Sequence, residues 1–203
     1  MPDLSIILLA AGKSERMGTH DKLLLTANNQ PLIQLVLNQL MLLETVEIIV
    51  VANSTNAEKI NRRIPPRVKL VVNLDYQTGM TSSIRAGIKA TDASSTGYMI
   101  CLSDQPDIKA STYDLIKKAF IKAEDESLIT VPYYHGQKGN PIIFGRKYRD
   151  ELLNHMEPDG CKQIIEDHKA KILRVDLQNA QITLDIDTHA DYLQFKKRVG
   201  EKE

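Results

Sequence analysis

The chain has 203 residues, 42% of them hydrophobic and 26% charged, which suits one packed domain. Lys and Arg number 26 and Asp and Glu number 26, so a general binder of nucleic acid or anionic membrane, which needs a basic excess, is not expected. Two cysteines, Cys101 and Cys161, leave no disulfide framework or four-cysteine zinc site and suit a reducing, cytoplasmic setting.

No apolar run reaches the roughly 20 residues that a bilayer span needs. Residues 1–12 lack a basic leading region and run at once into Lys13-Ser14-Glu15-Arg16, so they read as a buried strand rather than a signal peptide. The strand covers residues 4–9 (LSIILL), an apolar run broken only by Ser5, as in a sheet covered on both faces. After a Gly-containing loop, Pro31 opens a helix with Leu32, Leu35, Val36, Leu40 and Leu43 at helical spacing. Strands are predicted at 47–52, 68–72, 98–102 and 128–131, with helices at 55–63 and 80–90. A third helix ends near residue 123, and Ser111 and Asp114 are expected to form its capping box.

The pattern then loosens. Residues 133–144 carry Gly136, Gly139 and Pro141 and read as a turn with extended arms. Short helices at 149–156 and 162–168 and strands at 172–177 and 181–185 follow, and Thr188 with Asp191 caps a final helix. The alternation specifies an α/β domain with a mostly parallel sheet. One domain is expected over residues 1–203.

The chemistry-bearing segments fall after predicted strands, where open α/β sheets bind ligands. The first is Leu9-Ala10-Ala11-Gly12-Lys13-Ser14-Glu15-Arg16-Met17-Gly18, with Lys22 close behind. Small residues let backbone N–H groups approach a phosphate, and Lys13, Arg16 and Lys22 supply charge. Neither familiar glycine loop fits. A Walker A motif needs Gly where Ile7 stands, and the dinucleotide fingerprint lacks a glycine between Gly12 and Gly18. An ordinary surface turn with scattered basic residues is the competing reading.

Ser103-Asp104-Gln105-Pro106-Asp107 is the second segment; Asp104 suits a Mg²⁺ ligand, and Asp107 reads as a turn or cap residue. In the third, Leu184-Asp185-Ile186-Asp187-Thr188, alternation sets Asp185 and Asp187 on one face, either as a second metal ligand or as helix capping. The fourth runs from Asn73 to Ser83 into a helix N-terminus and serves equally for anion binding or for capping by Thr81 or Ser82. The five histidines show no metal-ligand spacing; Cys101 reads as core, and Cys161, after Asp159-Gly160, as a candidate for exposure.

Taken together, Leu9-Ala10-Ala11-Gly12-x-Ser14-x-Arg16-Met17-Gly18 with Lys22 resembles the signature of MobA-like nucleotidyltransferases. Gly79-Met80-Thr81-Ser82-Ser83, Ser103-Asp104-Gln105-Pro106 and Asp185-Ile186-Asp187-Thr188 resemble the branch that cytidylylates molybdenum cofactor, and Gly139-Asn140-Pro141 is similar to a turn of that branch. The resemblance implies a Rossmann-like, three-layer (GT-A-like) nucleotidyltransferase fold with a mostly parallel mixed sheet. It also implies transfer of CMP from CTP to the terminal phosphate of molybdopterin, with release of pyrophosphate. Mg²⁺ would assist, with Mn²⁺ as a substitute, and a molybdoenzyme would receive the product.

By matching positions, Leu9, Ala10, Ala11, Gly12, Lys13, Asn73, Ser82 and Ser83 would bind the nucleotide. Arg16, Lys22 and Asp104 would be catalytic; Asp104 and Asp187, with Asp185 in reserve, would hold metal; His135, Gly139, Asn140 and Pro141 would face the acceptor. Nucleotide binding would fall to residues up to about 110 and acceptor binding to those from about 111 to 203. Ala11, where guanylyl-transferring relatives usually carry Gly, favours cytidine by resemblance alone. His189-Ala190 departs from the family's usual Pro and acid. The alternatives are a guanylyltransferase or sugar-phosphate nucleotidyltransferase of the same fold, or a non-catalytic molybdenum cofactor chaperone.

Overall fold

The computed structural model describes residues 4–12 and 22–200. Ten strands and seven helices are formed among them. The strands are β1 (Leu4–Ala10), β2 (Thr26–Ala27), β3 (Gln30–Pro31), β4 (Glu47–Asn53), β5 (Val68–Asn73), β6 (Gly97–Leu102), β7 (Ile129–Tyr134), β8 (Gln137–Lys138), β9 (Ile142–Gly145) and β10 (Ile172–Asp176). The helices are α1 (Leu32–Leu40), α2 (Ala57–Asn61), α3 (Met80–Lys89), α4 (Ala110–Ala123), α5 (Arg149–Asn154), α6 (Lys162–Asp167) and α7 (His189–Arg198). None of these helices is long and apolar enough to cross a membrane.

The main sheet runs β10-β7-β9-β6-β1-β4-β5, with β8 hairpinned onto β7; β2 and β3 form a separate ribbon. β1 pairs in parallel with β4 and β6, and β4 with β5. Only β9 and β8 run against their neighbours. This is the α/β, Rossmann-like arrangement expected, with a mostly parallel mixed sheet.

Every residue of β1 is buried, and its alternate side chains divide between two cores, as a period of two requires. Leu4, Ile6 and Leu8 pack with Ile33, Val36, Leu37 and Leu40 of α1 and with Ile116 and Phe120 of α4. Ile7 and Leu9 face the other way, onto Ile84 and Ile88 of α3, Leu152 of α5 and Ile164 and Ile165 of α6. A third cluster joins Tyr192 and Phe195 of α7 to Ala27, Leu32 and Ile186. Tyr192 donates its hydroxyl to the Thr26 carbonyl at 2.6 Å, so α7 clamps the segment after Lys22 beside the segment that carries Asp185 and Asp187.

Three local expectations are corrected. The Ser111–Asp114 box does not form, because α4 starts at Ala110 with no side-chain cap. Distant glutamines take over: Gln39 accepts from the Ala110 amide at 3.0 Å, and Gln181 accepts from the Lys109 amide and the Thr112 hydroxyl. Asp114 is left to pair with Lys118. The expected strand at 181–185 is instead a 3-10 turn, Ala180–Thr183, opened by the Asn179 side chain accepting from the Gln181 amide. Cys161 is buried, and burial pushes its thiol up to about 12, while Cys101 is core as expected. At Thr188 the predicted capping box with Asp191 is present.

Glu47 ties the base of the sheet together. It accepts hydrogen bonds from the Ser5 hydroxyl at 2.7 Å, the Asp92 amide at 2.5 Å and the Lys69 ammonium. Burial acts to raise its carboxyl, but those bonds outweigh burial and hold it below the usual carboxylate range. A depressed carboxyl contributes stability above its unfolded pKa, and the contribution is lost as pH falls through the folded value. Glu47→Gln is therefore expected to cost roughly 1–3 kcal/mol at neutral pH. Urea unfolding of both proteins should show the difference vanish once the pH lies below the usual carboxylate range.

Candidate active site

The carboxyl ends of β1 and β6 open onto a cavity of about 520 Å³. Leu9, Ala11 and Gly12 line one side, Leu102, Ser103 and Asp104 the next, and Tyr76, Gln77, Gly79, Met80 and Ser83 a third. Lys22, Leu23, Asp185 and Asp187 complete it.

Lys22 is the link between these walls. Its ammonium donates to Asp104 at 2.7 Å and to Asp187 at 3.1 Å, with its own side chain 12% exposed. Burial acts to lower the pKa of Lys22, but Asp104, by charge and hydrogen bond, and then Asp187 outweigh it and leave it raised. The group is held as a cation. The backbone joins the acidic segments as well, since the Ile186 amide donates to the Asp104 carbonyl at 2.9 Å.

Asp185 sits against the buried Gln105 amide, accepting from it at 2.6 Å. Burial pushes its carboxyl up; the charges of Asp104 and Asp187 add to that, and Gln105 and Lys22 oppose it. The capping box at Thr188 extends to Asp187, whose amide donates to the Asp191 carboxylate at 3.2 Å. The start of α7 thus sets the backbone that presents Asp187.

The Asp104 Oδ1 atom is buried and has no hydrogen-bond partner among the described residues. An unpartnered carboxylate oxygen among three acids is a costly arrangement for which a hard divalent cation is the fitting partner. Among the described residues no three acidic, His or Cys side chains are placed to hold a metal unaided. Mg²⁺ does not require such a cage, because it usually takes one or two carboxylates and completes its shell with water and phosphate.

The residue that caps the start of α3 is Gly79, whose φ of 111° favours glycine and whose hypothetical Cβ would meet Pro158 at 2.9 Å. Asn73 donates to the Ser82 hydroxyl at 2.8 Å and to that of Ser83 at 3.0 Å. Ser82 in turn donates to the Gly79 carbonyl. Thr81 is engaged with Glu157 and Gly160. Neither Thr81 nor Ser82 caps the helix.

Of the residues expected to bind nucleotide, Leu9, Ala11, Gly12 and Ser83 line the cavity. Ala10, Asn73 and Ser82 lie behind its walls: Ala10 is core, and the other two are consumed by the bonds just given. Lys13 and Arg16 fall outside the described residues. Lys22, Asp104, Asp185 and Asp187 converge. His135 does not join them; it is exposed in the β7–β8 turn at φ 47°. Gly139, Asn140 and Pro141 do not line the cavity either. The Asn140 amide donates to the Ile182 carbonyl at 3.0 Å, so this turn buttresses the segment leading to Asp185. Asp107 accepts from Arg198 of α7 at 2.6 Å, in keeping with a structural role.

Sequence reasoning missed Gln105 as the partner of Asp185, and Leu23 and Leu102 as wall residues. It also missed Asn53 and Asn56. Asn53-Ser54-Thr55-Asn56 directly after a strand is an Asx-turn pattern, so that pair had a signal.

A family model described as MobA-like NTP transferase domain matches residues 6–172. The chain is similar to the molybdenum cofactor cytidylyltransferase of Escherichia coli K12, at 25% identity over 99% of this chain and 100% of that one. It is also similar to a molybdenum cofactor guanylyltransferase of Vibrio atlanticus, at 29% identity over 79% and 78% of the two chains. Among solved structures, the complex of Rv0371c from Mycobacterium tuberculosis H37Rv with manganese superposes with a TM-score of 0.79 at 20% identity, over 96% of this chain and 98% of that one.

The turn behind the acids has a sharp steric limit. A Cβ on Gly139 would lie 2.5 Å from the Ile182 carbonyl oxygen, a backbone atom that cannot rotate away. Gly139→Ala is expected to cost about 1–3 kcal/mol by overpacking, read as a lowered urea midpoint with an unchanged slope.

Proposed function

Because the chain belongs to the family of MobA-like NTP transferase domains, we propose that it transfers CMP from CTP to the terminal phosphate of the molybdopterin cofactor. The observation that carries the reading is the meeting of Lys22 with Asp104 and Asp187 on the cavity wall beside Ala11 and Gly12. The acceptor is itself a phosphate, largely ionised near neutral pH because its second pKa is about 6. No strong general base is required. The difficulty is to bring two polyanions together, so positioning and charge neutralisation are the main tasks.

An acceptor phosphate oxygen attacks the α-phosphorus of CTP; that P–O bond forms as the bond to the β-phosphate oxygen breaks, and pyrophosphate leaves with the electron pair. Lys22 stays protonated and can exchange carboxylate partners for phosphate oxygens, countering charge where it develops. The Ala11 and Gly12 backbone forms the small-residue wall along the phosphates, and resemblance to the family signature assigns Arg16 and Lys13 to phosphate binding. Ser83 accepts from Asn73 and lines the cavity, so its own hydrogen would be available to the sugar or base.

Asp104 and Asp187 would hold Mg²⁺ or Mn²⁺, with Asp185 in reserve, and the ion when bound supplies charge neutralisation and Lewis-acid polarisation of the phosphate. The Oδ1 of Asp104, unpartnered among the described residues, supports this, as does the manganese in the structural neighbour. Nucleotide contacts are assigned to residues up to about 110, and the acceptor to residues 111–203, including His135 and the Gly139–Pro141 turn. Resemblance between Ala10-Ala11-Gly12 and the cytidylyl branch favours CTP. Similarity to a guanylyltransferase makes GTP the second reading.

Incubation with each of the four NTPs, Mg²⁺ and molybdopterin, with mass detection of products, tests the reading. CTP is expected to give the dinucleotide and pyrophosphate; exclusive turnover of GTP would replace cytidylyl by guanylyl transfer. Lys22→Ala and Asp104→Ala are each expected to lose about 100-fold or more in kcat/KM while remaining folded by circular dichroism. EDTA should abolish turnover, and Mg²⁺ add-back should restore it.

A further inference from the structure

The chain leaves its ladder at the carboxyl end of β1, and the carbonyls there are buried. Three of them in succession are taken by side chains from two other strand ends. Leu9 accepts from the Ser103 hydroxyl at 2.6 Å, Ala10 from the Asn56 amide at 2.9 Å, and Ala11 from the Asn53 amide at 3.2 Å. Asn53 and Asn56 are only 3% and 2% exposed. They are also locked to each other. The Asn56 side-chain oxygen accepts from the Asn53 amide nitrogen at 3.0 Å, and the Asn53 side-chain oxygen accepts from the main-chain amides of Thr55 and Asn56 at 2.9 Å. Each of these hydrogen-bonding groups is satisfied within the network, which is the condition under which buried polar networks rigidify a single arrangement.

We infer that Asn56, braced by Asn53, is a positioning residue for the nucleotide: Asn56 holds the Ala10 carbonyl inward and Asn53 the Ala11 carbonyl, and the pair thereby fixes where the Ala11 and Gly12 amide N–H groups point. The reason is covalent. In a planar trans peptide the N–H of one residue lies opposite the C=O of the residue before it, so anchoring those two oxygens sets the direction of the next two hydrogens. Ala11 and Gly12 line the cavity, whereas Asn56 does not. Asn56 therefore acts through the main chain and not by touching the ligand. A strand end held only by its own backbone would leave these oxygens without partners in the protein interior, an unfavourable arrangement.

This inference rests on the nucleotidyl-transfer reading and is tested so that the two fail separately. Asn56→Asp preserves shape and still accepts from Asn53, but loses the donor to Ala10; Asn56→Ala removes both contacts. Steady-state kinetics with CTP, GTP and molybdopterin, beside thermal melts, provide the readout. Both variants are expected to stay folded, to raise the KM for the nucleotide by about tenfold, and to leave the KM for molybdopterin within about twofold of wild type. Equal shifts in both KM values, unchanged KM values in folded variants, or failure of both variants to fold would overturn the inference and leave a structural brace. Wild-type protein inactive with all four NTPs would remove the transfer reading itself, and this inference with it.

Discussion

One ammonium group holds the candidate site together. Lys22 reaches across 82 residues of sequence to Asp104 and across 165 to Asp187, and its partly buried position makes these pairs much stronger than ion pairs in open solvent. The acids in turn keep it charged. Without that cation the three carboxylates of the cavity would repel one another, and the third of them, Asp185, already has its carboxyl pushed up by burial beside the other two. On the proposed reading, a dication and a phosphate chain would replace these lysine–carboxylate contacts while every charge keeps a partner.

The rest of the fold serves to hold four strand or helix ends in place around that cation. β1 and β6 deliver the glycine-containing segment and Asp104, and their register is set by the apolar side chains that each buries. α3 supplies the opposite wall from Gly79, where a larger residue would strike Pro158. α7 contributes no lining side chain, yet its capping box and its Tyr192 bond fix the two flanks that carry Asp187 and Lys22. Glutamine and asparagine amides do much of this work: Gln105 orients Asp185, Gln39 and Gln181 cap α4, and Asn53 with Asn56 ends β1. Amides suit the task because each offers donors and acceptors without adding charge to a site already rich in it.

The elements that sequence reading placed well are those whose signal is short-range. The fully buried, largely apolar β1, the helical spacing of Leu32, Val36 and Leu40, and the Thr188–Asp191 box all stand where local chemistry put them. The failures share a cause. Ser111 and Asp114 had the right spacing for a cap, but Gln39 and Gln181, 71 and 69 residues away from the groups they bind, outcompeted it. Residues 181–185 alternate like a strand, but only an adjoining strand supplies ladder partners, and here Asn179 closes a tight turn first. The turn at Gly139–Pro141 also answers to a distant segment, since the Asn140 amide donates to the Ile182 carbonyl.

Sequence alone determined the class of architecture, the family resemblance, and the small set of residues with charge or metal affinity after strand ends. Periodicity and residue chemistry are local properties, so they are readable without coordinates. Tertiary structure decided which of those residues meet. It brought Lys22, Asp104, Asp185 and Asp187 to one cavity, left His135 at an exposed turn, and set Asn73 and Ser82 behind the wall. Those outcomes depend on sheet order and on which buried polar group finds its partner, and neither is written in the spacing of any single segment.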